Sequence, residues 1–131
     1  VSNHGGRQWD HGLGTLAVLP EITAAVKGRA PIWIDGGFYR GSDIVKARLM
    51  GAEVVGLGRM QCWALAAGGE AGVVRMLELL EAEVKQCMSL LGISDWSQGH
   101  AGLLQSAPQV TDPSVFSAFP LLNVGSSDWY A

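Results

Sequence analysis

The stretch VSNHGGRQWD (residues 1–10) determines how the rest of the chain is interpreted. Its first three residues predict the end of a buried strand, and His4, Gly5, Gly6 and Arg7 follow at once. Two consecutive glycines allow a tight turn and a close approach of the backbone to a ligand. A strand that ends in this way places a proton-transfer imidazole beside an anion-binding guanidinium. The stretch therefore predicts a functional site at a strand end.

Two further glycine-rich strand ends follow the same pattern. Residues 31–35 (PIWID) and 53–57 (EVVGL) are short and rich in β-branched residues, which is typical of strands buried on both faces of a parallel sheet. The first runs into DGG at Asp35–Gly37, and the second into GLGR at Gly56–Arg59. Such loops, followed by a helix N-terminus, commonly bind phosphate. Taken alone, these glycines are equally typical of plain turns.

Hydrophobic periodicity predicts helices between and after these strands. We expect helices over residues 15–27, 43–50, 60–67 and 70–91, with a break at residues 68–70. In the first helix Pro20 predicts a break or a first turn, and Gly28 a C-cap. The longest helix carries one apolar stripe, made of Val73, Met76, Leu77, Leu80, Val84, Met88 and Leu91. The alternation of strands and helices predicts an α/β fold built from parallel βαβ units with right-handed crossovers.

Composition excludes several classes of protein. A net charge of −3 provides no basic surface for nucleic acid. Cys62 and Cys87 match no metal-ligand spacing, so they predict buried free thiols in a reducing compartment and no metal site. These residues show no apolar run of transmembrane length and no signal peptide, and the missing N-terminal part could carry either.

Three motifs together resemble one family. SNHGGRQ (2–8), DGGFYRGSDIVKA (35–47) and GAEVVGLGR (51–59) resemble the FMN-dependent α-hydroxy-acid dehydrogenases and oxidases, which include glycolate oxidase, lactate oxidase and mandelate dehydrogenase. The resemblance covers residues 1–93 and implies the C-terminal portion of a (β/α)8 TIM barrel, about its last three βα units. A complete barrel needs roughly 250 residues, and this chain has 131 and begins with Val inside a strand, so we expect part of a longer protein. Residues 94–131, rich in Ser, Pro, Gly and Asp, predict an irregular or disordered extension.

The resemblance implies an oxidation of an L-2-hydroxy acid to a 2-oxo acid. His4 would act as the base, taking the substrate hydroxyl proton while hydride leaves Cα for the flavin. An alternative mechanism, in which His4 first takes the Cα proton, uses the same residue. Arg7 would hold the substrate carboxylate through two parallel hydrogen bonds. We therefore expect His4 as the catalytic residue and both His4 and Arg7 as substrate-binding residues.

The resemblance also implies FMN as the cofactor. The expected FMN-binding residues are Asp35, Gly36, Gly37, Phe38, Tyr39, Arg40, Gly58 and Arg59. Asp35 would bond the ribityl hydroxyls, the glycines would allow close approach, and Arg59 would supply positive charge to the phosphate. Tyr39 stands where many members carry Arg, a loss that Arg40 would partly offset. Arg48 stands at a usually apolar position, where we expect it to snorkel or to pair with Glu53.

Other interpretations stay open at this point. The chain could belong to another FMN- or phosphate-binding barrel, such as an IMP dehydrogenase-like protein, or be an inactive truncated copy. The electron acceptor could be oxygen, a quinone or a cytochrome. For the full-length protein we expect a homo-oligomer that takes a small 2-hydroxy acid. We expect it in the cytoplasm, or associated with a membrane through the missing part.

Overall fold

The computed structural model describes residues 1–9 and 11–107, and strands and helices alternate along it. Helix α1 (Thr15–Val26) precedes strand β1 (Trp33–Ile34), and helix α2 (Gly41–Leu49) precedes strand β2 (Val54–Val55). Helix α3 (Arg59–Leu90) follows β2. Three short 3-10 turns cover His4–Gly6, Trp96–Gln98 and Ala101–Leu103. The predicted α/β class is confirmed.

The two strands are parallel, and the start of the chain lies beside them. Trp33 lies opposite Val54, and Ile34 opposite Val55. The Val1 amine donates to the Trp33 carbonyl, and the Asp35 N–H donates to the Val1 carbonyl at 3.1 Å. Three segments therefore lie side by side in chain order, with their carboxyl ends at one edge. Each strand has two residues rather than the predicted five, although the backbone bond from Gly56 N–H to the Ile34 carbonyl (2.7 Å) continues the pairing.

The main core lies between α1, β1 and α2. Its buried residues are Leu19, Ile32, Ile34, Phe38, Ala47 and Ala52. Two threonines connect α1 to the loops around this core. Thr15 Oγ1 donates to the Asp35 carbonyl at 2.6 Å, and Thr23 Oγ1 donates to the Met50 carbonyl at 3.1 Å. The helix continues through Pro20, so the predicted break there is wrong. The C-cap of α1 is Lys27, which has a left-handed backbone conformation with a φ of 51°. The helix therefore ends one residue before the predicted C-cap, Gly28.

Helices α2 and α3 approach each other closely at the start of α2. Gly41 N–H donates to Glu83 Oε2 at 2.6 Å, and the Arg40 guanidinium pairs with Glu83 Oε1 at 2.8 Å. A Cβ at Gly41 would overlap Glu83 and the Val84 backbone. Asp43, in the first turn of α2, accepts the N–H groups of residues 39 and 40 at 3.2 and 3.1 Å. The helix begins two residues before its predicted start because Glu83 supplies a partner for the Gly41 N–H.

Helix α3 changes direction at the predicted break. Gly68 has φ −152° and Gly69 has φ 58° with ψ −144°, so neither is helical. The predicted stripe lies after the bend, where Met76 and Leu80 are buried and Val73, Val84, Met88 and Leu91 are partly buried. Leu77 is 52% exposed, because it faces a groove beside Trp96. The stripe prediction is confirmed except at Leu77.

Residues after α3 fold back onto α2. Val45, Leu49 and Ile93 form a second buried cluster, on which Trp96, Leu103 and Leu104 pack. The Arg48 guanidinium lies 5.0 Å from the centroid of the Trp96 ring and donates to the backbone carbonyls of Ala52 and Glu53 at 3.0 and 2.8 Å. Arg48 thus bonds the Glu53 backbone, not its carboxylate. The predicted extension from residue 94 lies partly outside the described residues, and the division at residue 93 stays a prediction.

Candidate functional site

A cleft of about 660 Å³ opens at the edge where the three parallel segments end. It is lined by Ser2, His4, Gly5, Gly6, Arg7, Asp35, Gly36, Gly37, Phe38, Tyr39, Gly56, Leu57, Gly58, Arg59, Gln61 and Cys62. In parallel α/β folds the ligand site forms from the loops at this carboxyl edge. The structure therefore brings the three predicted strand ends to one cavity.

The turn of residues 4–7, here called the HGGR turn, forms one wall of the cleft. His4, Gly5 and Gly6 all have positive φ, at 55°, 64° and 76°. Positive φ is uncommon for a non-glycine residue, and such strain is concentrated at functional sites. The turn is closed by backbone bonds from Gly6 N–H to Asn3 and from Arg7 N–H to His4, at 3.1 and 3.2 Å. This geometry places the His4 and Arg7 side chains, both exposed, at the lip of the cleft.

Asp35 is held from both sides at the base of the cleft. Ser2 Oγ donates to Asp35 Oδ1 at 2.6 Å, while the Asp35 carbonyl accepts the Thr15 hydroxyl. Ser2 Oγ also accepts the His4 N–H at 3.2 Å. Ser2 therefore joins the HGGR turn to the Asp35 loop, a role that the sequence analysis missed.

Gly36 packs tightly against the first segment. Its φ is 95°, and a Cβ there would lie 3.1 Å from Asn3 Oδ1 and 3.4 Å from Thr15 Oγ1. Gly37 also has positive φ, at 84°, with no atom within 4 Å of a built Cβ. The two glycines therefore serve different needs: Gly36 allows the close approach of two loops, and Gly37 exposes its backbone.

Arg59 begins α3 and reaches across the cleft. Its Nη2 lies 3.5 Å from the Gly5 carbonyl oxygen, so the guanidinium spans from α3 to the HGGR turn. The preceding residue, Gly58, provides no side chain to cap the helix. The first N–H groups of a helix lack intrahelical partners and favour an anion, as does the guanidinium. This end of the cleft is therefore suited to a phosphate.

Arg40 is the one predicted site residue that does not line the cleft. It precedes α2 in an extended conformation, and its guanidinium pairs with Glu83. The hydrogen bond and the charge of Glu83 raise the pKa of Arg40. The other seven predicted cofactor residues, Asp35 to Tyr39 together with Gly58 and Arg59, line the cleft with His4 and Arg7.

Three residues of the first turns of α3 escaped the sequence analysis. Gln61 and Cys62 line the cleft, and Trp63 stacks on Tyr39 with ring centroids 5.4 Å apart and planes at 16°. Cys62 is a free thiol as predicted, but it is exposed rather than buried. Cys62 follows Arg59 by three residues in the helix, and this spacing is the sequence signal that would have placed it at the cleft.

The described part of the chain has neither a cluster of metal ligands nor a membrane-spanning helix. No group of three or more His, Cys, Asp or Glu residues is arranged to hold a metal ion among residues 1–9 and 11–107. Within the same ranges, no helix is both long and apolar enough to reach across a lipid bilayer.

Comparison with known proteins identifies the family of the chain. The model of the FMN-dependent dehydrogenase family matches residues 1–106. An L-lactate oxidase of Nostoc sp. is 51% identical over 94 residues, covering 72% of this chain and 26% of the relative. An L-lactate oxidase of Lactobacillus jensenii is 43% identical over 128 residues, covering 92% and 31%.

Solved structures give the same result. A crystal structure of (S)-mandelate dehydrogenase, described as a monotopic membrane protein, is 45% identical, with a TM-score of 0.75 over 80% of this chain and 28% of that one. A mandelate oxidase variant with a monooxide FMN adduct is 44% identical, with a TM-score of 0.74 over 77% and 32%. The chain thus spans about a quarter to a third of the length of the proteins that it matches. The family match over residues 1–106 and the identities to these relatives show that the chain belongs to the FMN-dependent dehydrogenase family.

Proposed function

We propose that this chain supplies the base, the carboxylate-binding residue and the phosphate end of an enzyme that oxidises an L-2-hydroxy acid to a 2-oxo acid with FMN. One observation carries this proposal: His4 and Arg7 stand on one strained turn, facing a cleft whose other walls are the Asp35 loop and Arg59. The relatives are named as L-lactate oxidases and (S)-mandelate dehydrogenase, whose substrates are 2-hydroxy acids.

The residues of the cleft fit FMN. The volume of about 660 Å³ lies within the range of ligand pockets. The uncapped start of α3 and the Arg59 guanidinium suit the phosphate, and the Asp35 carboxylate suits the ribityl hydroxyls. The open backbone at Gly37 and Gly58 leaves room for close approach, since a Cβ at either would meet no atom within 4 Å. FMN, when bound, accepts the two electrons that leave the substrate.

His4 takes the proton in this proposal. A neutral imidazole has a nitrogen lone pair, so it can accept the proton of the substrate hydroxyl. The hydrogen-bonded backbone of the HGGR turn fixes the position of the His4 Cα. The alternative order, in which His4 takes the Cα proton first, uses the same atom and the same cleft.

Arg7 binds the substrate carboxylate. A guanidinium holds a carboxylate through two parallel hydrogen bonds, which fixes its orientation as well as its position. Because Arg7 closes the turn that His4 opens, a substrate held by Arg7 presents its neighbouring carbon and hydroxyl to His4.

We further propose that the three parallel segments are the last three βα units of a (β/α)8 barrel. Their chain order across the sheet and the shared carboxyl edge support this placement, as does the likeness to (S)-mandelate dehydrogenase. A homo-oligomeric enzyme stays a prediction, as does its electron acceptor.

The test is a chimera in which residues 1–131 replace the matching segment of the Lactobacillus jensenii L-lactate oxidase, with which they align over 128 residues. We expect the purified chimera to retain FMN and to show bleaching of the flavin absorbance on anaerobic addition of L-lactate. A His4→Asn variant, with a side chain that accepts no proton near neutral pH, should retain FMN and lose the bleaching. A folded chimera that holds FMN but is not reduced by L-lactate or L-mandelate would contradict the proposed function and favour an inactive copy.

A further inference from the structure

We propose that Thr15 is a positioning residue of the flavin site, whose buried hydroxyl holds the Asp35 carboxylate in place at the base of the cleft. This inference rests on the proposed function, in which that carboxylate bonds the ribityl hydroxyls of FMN. Thr15 itself is not among the residues that line the cleft. Its burial, the atom that accepts its hydrogen bond and the contacts around Asp35 support the role.

Thr15 is the one buried polar residue in the part of the chain that the structure describes, with 4% of its surface exposed. Burying a hydroxyl costs free energy unless it is hydrogen-bonded, so the partner of the hydroxyl indicates what it does. Although Thr15 begins α1, no side chain caps that end of the helix. The hydroxyl donates instead to the Asp35 carbonyl at 2.6 Å, with the Gly36 carbonyl oxygen 3.5 Å away. Thr15 therefore acts on the loop at the cleft rather than on its own helix.

Asp35 is held at each of its three polar groups. Its N–H donates to the Val1 carbonyl at 3.1 Å, its carbonyl accepts the Thr15 hydroxyl, and its carboxylate accepts the Ser2 hydroxyl at 2.6 Å. Val1 and Ser2 both belong to the first segment of the chain, whereas Thr15 approaches from α1. Without the Thr15 hydroxyl, both remaining bonds would run to the first segment, and Asp35 would be restrained from that side alone.

The bond to Thr15 also sets the orientation of the peptide that follows Asp35. In a planar trans peptide the carbonyl and the next N–H point in opposite directions, so the Gly36 N–H points away from the Thr15 hydroxyl. Gly36 then turns the chain with a φ of 95°, and a Cβ built there would lie 3.4 Å from Thr15 Oγ1. The hydroxyl thus selects one orientation of this peptide at the point where the loop enters the cleft.

Thr23 provides a matched comparison within the same helix. It lies about two turns beyond Thr15, and its hydroxyl donates to the Met50 carbonyl at 3.1 Å. Neither Thr23 nor Met50 lines the cleft. The two threonines therefore make the same kind of bond from α1 to a loop, and one of these loops lines the cleft while the other does not.

The experiment measures the dissociation constant of FMN by fluorescence quenching in the chimera, after the bound flavin has been removed. Thr15→Val removes the hydroxyl and keeps the branched shape, so we expect FMN binding to weaken roughly two- to tenfold, as for one lost hydrogen bond. Thr15→Ser keeps the donor and should bind FMN within about twofold of the parent. Thr23→Val should lower the midpoint of urea unfolding but leave FMN affinity within about twofold of the parent.

A double-mutant cycle distinguishes positioning from a merely structural role. In the Asp35→Ala background no carboxylate is left to hold, so Thr15→Val should change FMN affinity by less than about twofold. A structural role would weaken FMN binding by the same factor in both backgrounds. If Asp35→Ala binds no FMN, the comparison with Thr23→Val decides by itself.

Folding of each variant is checked by circular dichroism. If Thr15→Val does not fold, Thr15→Ala against Thr15→Ser gives the same comparison of the hydroxyl without the γ-methyl group. Equal FMN affinities of Thr15→Val and Thr23→Val, or equal losses with and without the Asp35 carboxylate, would overturn the positioning role and leave the proposed function standing. A parent chimera that binds no FMN would overturn the proposed function and this inference together.

Discussion

His4 has a left-handed backbone, and two bonds through Ser2 connect it to the rest of the site. Its N–H donates to Ser2 Oγ, and Ser2 Oγ donates to the Asp35 carboxylate. A non-glycine residue in this conformation costs on the order of 1–3 kcal/mol, which the surrounding bonds must offset. The same hydroxyl thus ties the proposed base to the loop proposed for the ribityl chain.

Arg7→Met should chiefly weaken substrate binding in the chimera. The carboxylate loses its two-point partner, so we expect a loss of about 2–5 kcal/mol in binding free energy, seen as a large rise in the substrate concentration that half-saturates flavin reduction. Stopped-flow measurements with L-lactate provide this value. Arg7→Lys keeps the charge and loses the two parallel hydrogen bonds, so its substrate affinity should lie between those of the parent and Arg7→Met. An Arg7→Met variant with the parent's substrate dependence would exclude this role.

The sequence was enough to place at the cleft those residues whose positions depend on their neighbours in the chain. His4, Arg7, Gly36 and Arg59 lie in or just after the predicted strand ends, and the carboxyl ends of parallel strands meet at one edge, so their meeting was predictable. Arg40 was not, because its partner Glu83 is 43 residues away in sequence. The Ser2 bridge was missed for the same reason, since Asp35 is 33 residues away.

At the scale of elements, the contact between α2 and α3 depends on the absence of a side chain at Gly41. Gly41→Ala would push a methyl group into Glu83 and the Val84 backbone. Forcing extra atoms into a close contact costs about 1–3 kcal/mol, which urea unfolding of the chimera would measure. Gly14→Ala is the matched control, because no atom lies within 4 Å of a built Cβ there; it should cost about 1 kcal/mol or less. Equal effects of the two substitutions would show that the helices do not pack as described.

Glu83 makes the stability of this contact depend on pH. Burial raises its pKa, but the Arg40 hydrogen bond, the Gly41 N–H and the Arg40 charge outweigh burial and lower it below the ordinary 4.5. The carboxylate therefore stabilises the fold fully above that ordinary value, and the effect is lost as pH falls through the lower pKa of the folded state. Because the pair is partly exposed, Glu83→Gln should cost only about 0.5–1 kcal/mol at pH 7.

The stabilities of Glu83→Gln and its parent at low pH test the direction of the pKa shift of Glu83. Below about pH 4 the difference between Glu83→Gln and its parent should shrink, since the protonated Glu83 is neutral like glutamine. Urea unfolding at pH 7, 5 and 3 provides the three values. A difference that grows as pH falls would contradict the assigned direction of the pKa.

Element type and order were predictable, whereas element ends were not. The break at Gly68 and Gly69 was visible as paired glycines in a helical pattern, and the structure confirms it. The start of α2 was misplaced because its first N–H is capped from another helix. The exposure of Leu77 depends on what packs over α3, and helical periodicity contains no information about that.

At the scale of the whole molecule, this chain carries the proposed site on an open sheet. Among the described residues, large apolar side chains such as Trp33, Leu65 and Leu90 are 64%, 53% and 81% exposed. Catalysis needs base, substrate and flavin held in a fixed geometry by a surrounding shell. We expect the 131-residue chain by itself to bind FMN at least about a hundredfold more weakly than the chimera, and to oxidise no 2-hydroxy acid.

Fluorescence titration and dye reduction measure both quantities, and size-exclusion chromatography reports association through the open strand edges. Stoichiometric FMN binding at micromolar concentration together with turnover by the chain itself would contradict this expectation.

The bend at residues 68–69 divides α3 into two parts that contact different regions of the molecule. Before the bend, Arg59 and Cys62 line the cleft, and after it Glu83, Val84 and Met88 contact α2. Random substitutions along this one helix should therefore sort into two phenotypes with the glycine pair as the border. Those on the first side would yield well-folded, colourless protein, and those on the second side would lower the yield of yellow protein without altering its colour per molecule.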